Sequence, residues 1–400
     1  MHSHAAFKDN GRLHRTITRR LLVCAKPLKY RMKMSMRAAA IERFSLNHQA
    51  KDDLHIQIDS LSDADWHAAL ARFSDIHYEQ SALFGSGQRG ETDSHLLATQ
   101  NGEPVFGARV GIYMLPVLHR GLALVRFGPF WRRAGEPLDR ERYKAAIQAL
   151  IDEYCTRRKL YLIVRPRAHP DIYPIEAEIL SEMGLQPKET TELSRYIVDS
   201  SLSEDEQRKS FGQQWRRNLK TALANNLEIR IGGNPEDVAT FQAVYADMVE
   251  RKHLIYPGVK FVDLMPQLTS LPQQMQMRVA LAYHEGKPVA GLAFAVNGDI
   301  AYYVFGATND HATELKAGYA LQWNVLCWLR ENSNVKWYEL GGPGDPGIKQ
   351  FKKGLSGKRG VLLEIQDFHY SSDALARGVV GLMFAARNMR NAVELWRRGN

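Results

Sequence analysis

Two stretches, LATQNGEPVFGARV at residues 97–110 and LAYHEGKPVAGLAF at residues 281–294, read as one pattern written twice. Six positions coincide without a gap: Leu97/Leu281, Ala98/Ala282, Gly102/Gly286, Pro104/Pro288, Val105/Val289 and Gly107/Gly291. Each stretch describes an apolar strand, a polar turn built on Gly, and a returning strand that opens with Pro-Val. Gly supplies a positive φ at the turn, and Pro is tolerated where the returning strand needs no ladder donor. The constant offset of 184 residues predicts one α/β unit used twice, with a cleft between the copies.

Working outward, the order hairpin, strand, helix, strand recurs in both halves. In the first, helices are expected at 60–73, with Ser62 or Asp63 as N-cap, at 138–158, and at 175–183, where Gly184 stops the last one. Strands are expected at 123–127, 160–164 and 193–198. The second half opens on a long polar helix at 203–225, followed by a strand at 227–231 and helices at 236–251 and 261–271. A strand at 301–305, a helix at 315–331 and a strand at 336–340 follow its hairpin. Hairpins mixed with interleaved helices predict an α/β (α+β) fold with mixed, mainly antiparallel sheets rather than a doubly wound parallel one. The expected divisions are a basic leader at 1–45, domains at 46–200 and 201–370, and an amphipathic helix at 371–400.

The chain has 400 residues and a formal charge of +9. Residues 1–40 hold ten Lys and Arg against Asp9 alone, so that segment accounts for the whole excess and the remainder is neutral. Bulk charge therefore does not argue for nucleic acid. The leader lacks the apolar run of a secretory signal. No stretch reaches the roughly 18 apolar residues of a membrane span. Cys24, Cys155 and Cys327 are too scattered for a disulfide framework or a zinc site. These features predict a reduced, cytoplasmic protein. In the terminal helix Leu375, Val379, Leu382, Ala386, Met389, Val393 and Trp396 recur at alternating spacings of four and three, with arginines off that seam. Such a helix packs on its own protein, dimerises, or lies peripherally on the inner face of an anionic membrane.

The chemistry is expected in YELGGPGDPGIKQFKKGLSG, residues 338–357, which holds six Gly and two Pro. Read as a loop, it lets a ligand approach the backbone closely, with Phe351, Lys352 and Lys353 at its end. A Lys there can stabilise negative charge developing on a carbonyl or phosphate. The stretch resembles the closing motif of the Fem family of peptidoglycan interpeptide-bridge aminoacyltransferases. Arg126-Phe127-Gly128-Pro129 is similar to that family's first-domain Gly-Pro segment. The run from Trp215 to Ala222 (WRRNLKTA) is similar to its basic helix, and the run from Tyr302 to Ala307 (YYVFGA) to its aromatic strand.

The resemblance covers about residues 55–370 and implies two tandem GNAT-like acyltransferase domains. It also implies transfer of an amino acid from aminoacyl-tRNA to the amine of a peptidoglycan precursor. By the same resemblance Phe351 and Lys352 stand at the reaction centre, and Lys352 stabilises the oxyanion. Tyr303 contacts the acceptor, Arg251 grips a diphosphate, and Arg216 and Arg217 face tRNA or acceptor. Gly341, Gly342 and Lys353 complete the expected binding set. The family's basic residue after a Gln-Ser pair has only Arg89 as its counterpart beyond Gln80-Ser81. No His or carboxylate stands out as a general base, so the proton is expected to leave through a substrate phosphate or solvent. No bound cofactor or metal is expected; the co-substrate is aminoacyl-tRNA or, as the alternative, an acyl-CoA. With acyl-CoA the acceptor becomes an amino sugar or a cell-surface polysaccharide precursor, and the turn from Gly306 to Gly318 would meet the pyrophosphate.

Overall fold

The computed structural model describes residues 54–85, 91–115, 117–188, 193–254 and 257–399. The expected leader and Arg89 lie outside them. Fourteen strands among these residues form two seven-stranded sheets. The first half supplies β1 (Leu54–Ile58), β2 (Thr92–Gln100), β3 (Glu103–Leu115), β4 (Arg120–Arg126), β5 (Tyr161–Arg165) and β6 (Gln186–Lys188). The rest are β7 (Ser194–Asp199), β8 (Glu228–Gly232), β9 (Met277–His284), β10 (Lys287–Asn297), β11 (Ile300–Thr308), β12 (Trp337–Glu339), β13 (Val361–Glu364) and β14 (Asp367–Tyr370). The sheet orders are β1-β2-β3-β4-β5-β14-β6 and β13-β7-β12-β11-β10-β9-β8.

The repeat is real in space. Both hairpins turn on two residues of positive φ, Asn101 (52°) with Gly102 (79°) and Glu285 (51°) with Gly286 (76°), the signature of a type I′ turn. In both, the residue after the shared Pro is bulged out of register. Ala98 pairs Phe106 while Thr99 pairs Pro104, skipping Val105; Tyr283 pairs Pro288 while Ala282 pairs Ala290, skipping Val289. Gly107 and Gly291 also share a role, since each leaves room for an aromatic ring. A Cβ on Gly107 would stand 2.5 Å from Phe130, and one on Gly291 2.8 Å from Phe241.

The spatial division departs from the order of the chain. β7, which precedes the expected boundary at residue 200, is a strand of the second sheet, between β13 and β12. β14, near the end of the second half, inserts into the first sheet between β5 and β6. The halves thus exchange strands at both crossings.

Helices α1 (Asp63–Leu70), α2 (Arg140–Leu150) and α3 (Tyr173–Glu182) belong to the first half. Ser62 is the N-cap of α1, accepting from the Asp65 amide. The long helix expected at 203–225 is interrupted. A short helix over Glu204–Ser210, opened by the Ser203–Glu206 capping box, stops at Phe211, and α4 (Gln213–Ala224) restarts after Gly212. Burial of the Phe211 ring drives the break, and the Gly212 amide donates to Gly354 O at 2.8 Å. Then come α5 (Pro235–Arg251), α6 (Ala317–Asn332), α7 (Pro346–Ser356) and α8 (Ala374–Gly399). No helix among the described residues is long and apolar enough to cross a membrane.

Candidate active site

In the second sheet the parallel pair β11–β12 is short: Ile300 with Trp337, Ala301 with Tyr338 and Tyr302 with Glu339. Beyond Tyr302 the strands part. β11 runs on to Thr308, while the chain after β12 turns away as the Leu340 amide donates to Tyr196 O. The parting exposes Tyr303 on one side and Gly341-Gly342 on the other. A bulge at Val304, where Ala293 pairs Phe305 and Phe294 pairs Tyr303, re-aims β11 at this point. Gly306 accommodates the result, because a Cβ there would lie 2.0 Å from the Tyr303 hydroxyl oxygen.

The stretch expected as a loop is mostly helix. Asp345 accepts from the Ile348 amide and Pro346 takes the first helical turn, so α7 runs through Phe351, Lys352 and Lys353. Only the Gly-Pro segment before Asp345 remains irregular. The Asp-Pro pair was a legible helix start, masked by the glycines around it. Leu355 is buried and Ser356 Oγ donates to Ile197 O, anchoring α7 to β7.

Lys352 is 9 % exposed and returns to the strand ends. Its Nζ donates to Gly342 O at 2.6 Å and stands 5.8 Å from the centroid of the Tyr303 ring. Gly341, at φ 75°, keeps the space beside Nζ open: a Cβ there would come within 3.7 Å. Burial lowers the Lys352 pKa to about 8, helped by Arg195 and opposed by Glu339.

Glu339, the last residue of β12, is buried and receives Arg195 Nε at 3.0 Å. Its other oxygen, Oε2, is buried without a hydrogen-bond partner. Burial raises its pKa to about 7, Arg195 pulls it down and Glu79 pushes it up. Sequence reasoning passed over this carboxylate although it lies in the quoted motif, because its burial comes from the strand pairing and not from neighbouring residues.

The first half supplies the opposite wall. The Arg195 guanidinium lies 5.6 Å from the centroid of the Phe127 ring, and Arg165 lies 5.7 Å from it. Gln80 pins this wall by donating to Arg126 O at 2.6 Å and accepting from the Arg109 amide at 2.8 Å. Beside it a cavity of about 210 Å³ opens between Tyr78, Glu79 and Phe84 of the first half and Phe261, Val304 and Phe305 of the second. Burial raises the pKa of Glu79, against the pull of Arg126, Arg165, Arg109 and Arg195.

The other expected residues are dispersed. Phe351 faces away from Lys352, packing on Tyr319 (4.9 Å between centroids) and Trp215 (6.0 Å). With Lys353 it lines a second cavity of about 510 Å³. Arg216 donates to Phe211 O at 2.5 Å and Lys209 O at 3.3 Å, closing the preceding turn. Arg217 is exposed on α4. Arg251 sits in a different cavity, bound to Asp310 (2.7 Å), Asp247 (3.7 Å) and Thr308 O. The structure thus brings Lys352, Tyr303, Gly341 and Gly342 together and leaves Arg251, Arg216, Arg217, Phe351 and Lys353 in other environments. Among the described residues no cluster of His, Cys, Asp and Glu could hold a metal ion.

This architecture has solved counterparts. FemX aligns over 82 % of this chain and 99 % of its own with a TM-score of 0.63 at 15 % identity. The chain is a tandem GNAT-fold protein. The C-terminal domain of a putative lysylphosphatidylglycerol synthetase from Agrobacterium fabrum matches this tandem GNAT fold over 81 % of the chain and 97 % of its own, with a TM-score of 0.56 and 13 % identity. A conserved protein of unknown function from Bacteroides thetaiotaomicron VPI-5482 follows at 0.54 and 11 %, over 79 % of this chain and 99 % of its own. Residues 206–353, within the second half, match the acetyltransferase (GNAT) domain family. No curated protein matches the sequence.

Proposed function

We propose that this acyltransferase moves an aminoacyl group from aminoacyl-tRNA to the amine of a peptidoglycan precursor. The observation that carries the reading is the Lys352 ammonium, held by Gly342 O in the gap between β11 and β12, beside Tyr303 and the half-paired Glu339. The acceptor nitrogen attacks the donor's ester carbonyl, and the C–N bond forms as the carbonyl oxygen gains negative charge. Lys352 lies where it can balance that charge in a site largely shielded from water. Glu339 Oε2 is the acceptor for the proton the nitrogen sheds. The C–O bond then breaks, and that proton is the one the leaving hydroxyl needs. In this reading Tyr303 and the Gly341-Gly342 backbone position the acceptor. Arg251 would exchange Asp310 and Asp247 for the diphosphate, and Arg217, Phe351 and Lys353 line the approach of the donor.

A second reading, acyl-CoA transfer to an amino sugar or a cell-surface polysaccharide precursor, draws on the N-terminus of α6. It has no side-chain cap and no acidic residue in its first turn, and the space beside Gly318 is open, as pyrophosphate would require. The helical turn before it, Asp310–Glu314, is less suited, since Asn309 already takes the Ala312 amide and Asp310 adds negative charge. The test is donor discrimination by the purified full chain. Saturable binding of aminoacyl-tRNA, absent with uncharged tRNA, supports the first reading; thermal stabilisation by acyl-CoA thioesters alone replaces it with the second.

A further inference from the structure

Twelve large apolar side chains are exposed among the described residues, and seven come from two segments brought together by the fold. One is the β3–β4 hairpin tip, with Met114, Leu115, Leu118 and Val117, the last 91 % exposed. The other is α8, with Leu375, Leu382 (70 % exposed) and Met389. Arg120, at the base of the hairpin, reaches Asp373, just before α8, at 3.3 Å. The tip and the start of the helix are therefore neighbours.

α8 has two distinct faces. Ala376, Val379 and Val380 are buried, and Val380 packs with Leu122 and Ile163 of the first sheet. The seam read from the sequence is split accordingly, since Val379 turns inward while Leu375, Leu382 and Met389 do not. These three recur every seven residues, close to two helical turns, and form one stripe on the outer side. The stripe starts where the Arg120–Asp373 pair ties α8 to the hairpin, so exposed apolar side chains of both segments gather there instead of being scattered singly.

We infer that the α8 stripe and the β3–β4 tip form one docking surface for an anionic lipid bilayer. Charge selects this occupant. Residues 374–400 carry Arg377, Arg387, Arg390, Arg397 and Arg398 against Glu394 alone. A second copy of the same helix would set like charge against like. An anionic bilayer offers headgroups to the arginines and acyl chains to the leucines and methionines, the pattern of a helix lying in the membrane interface. The surface is built on the first sheet and rests on none of the residues assigned to transfer.

The test is flotation of the full chain with vesicles of phosphatidylcholine doped with about one third phosphatidylglycerol, against phosphatidylcholine alone. Binding is expected only to the anionic vesicles. The pair Val117→Asp with Leu382→Asp should weaken it about tenfold or more, with thermal unfolding unchanged because both side chains are exposed. The basic leader is present in both proteins, so it cannot produce the difference. Equal flotation of parent and variant overturns the inference. So does a parent that sediments as a dimer and a variant that sediments as a monomer, which would make this face an interface between copies.

Discussion

The two halves share a hairpin down to the bulged valine and the glycine beneath an aromatic ring, yet only in the second do the parallel strands part early, at the candidate site. In the first half the parallel pair β4–β5 holds register over five residues, from Leu122 with Tyr161 to Arg126 with Arg165. In the second, β11–β12 holds it over three and then separates. The closed half spends its strand ends on structure: Phe127 takes a positive φ of 51°, Gly128–Pro129 is cis, and Gln80 grips the backbone on either side. The open half places a lysine and a carboxylate in the gap. A site in this fold therefore needs more than the fold; it needs strands that stop pairing early and a helix that returns a side chain to the break.

The largest expected effect breaks the open half. Lys352→Ala should lower transfer by about 100- to 1,000-fold, the usual loss for one preorganised oxyanion donor, with thermal stability retained because a buried charge is removed. A variant that still transfers at the parental rate would leave the gap without its assigned role. Glu339→Gln should follow, at about 100-fold, and its pH profile separates catalysis from packing. Glu339 acts deprotonated, so activity rises with pH through about 7; Lys352 acts protonated, so activity falls above about 8. The parent should show both limbs, and Glu339→Gln should keep only the fall at high pH.

The shared hairpin gives a finer comparison. Alanine at Gly107 would meet the Leu96 carbonyl oxygen at 2.7 Å as well as Phe130, and backbone cannot step aside. Alanine at Gly291 meets only the side chains of Phe241 and Leu281. Gly107→Ala should therefore cost about 2–3 kcal/mol and Gly291→Ala about 1 kcal/mol, read by denaturant unfolding. Equal losses would show that both aromatic platforms are equally rigid. The smallest effect is expected at Arg216, whose hydrogen bonds to Phe211 O and Lys209 O close a turn. Arg216→Ala should cost about 1 kcal/mol of stability and leave the donor KM unchanged, whereas a raised donor KM would return it to the donor path.

Much of this was legible before any coordinates. The hairpins, the glycine turns and the end of α3 at Gly184 are local matters of φ and hydrophobic alternation, and they stand where the sequence puts them. The motif singled out Lys352, and the structure places its Nζ at the strand ends beside Tyr303. The helical state of α7 was signalled by Asp345-Pro346 but obscured by six glycines that serve turns, close approaches and the space beside Nζ. Glu339 was not legible as a buried, half-paired carboxylate. A glutamate ending a strand is ordinary until Arg195 and β7, more than a hundred residues away, bury one of its oxygens without a partner.

By itself the sequence determined the duplicated unit, the turn types and the residue types available for transfer, since these depend on backbone preference and periodicity over a few neighbouring positions. Only the tertiary structure decided which strands exchange between the halves, that Phe351 lines a cavity while Lys352 turns to Gly342 at the strand ends, and that Arg251 is held by carboxylates. The reason is physical. Adjacent residues on a helix point about 100° apart, and what each one meets depends on distant segments packed against it.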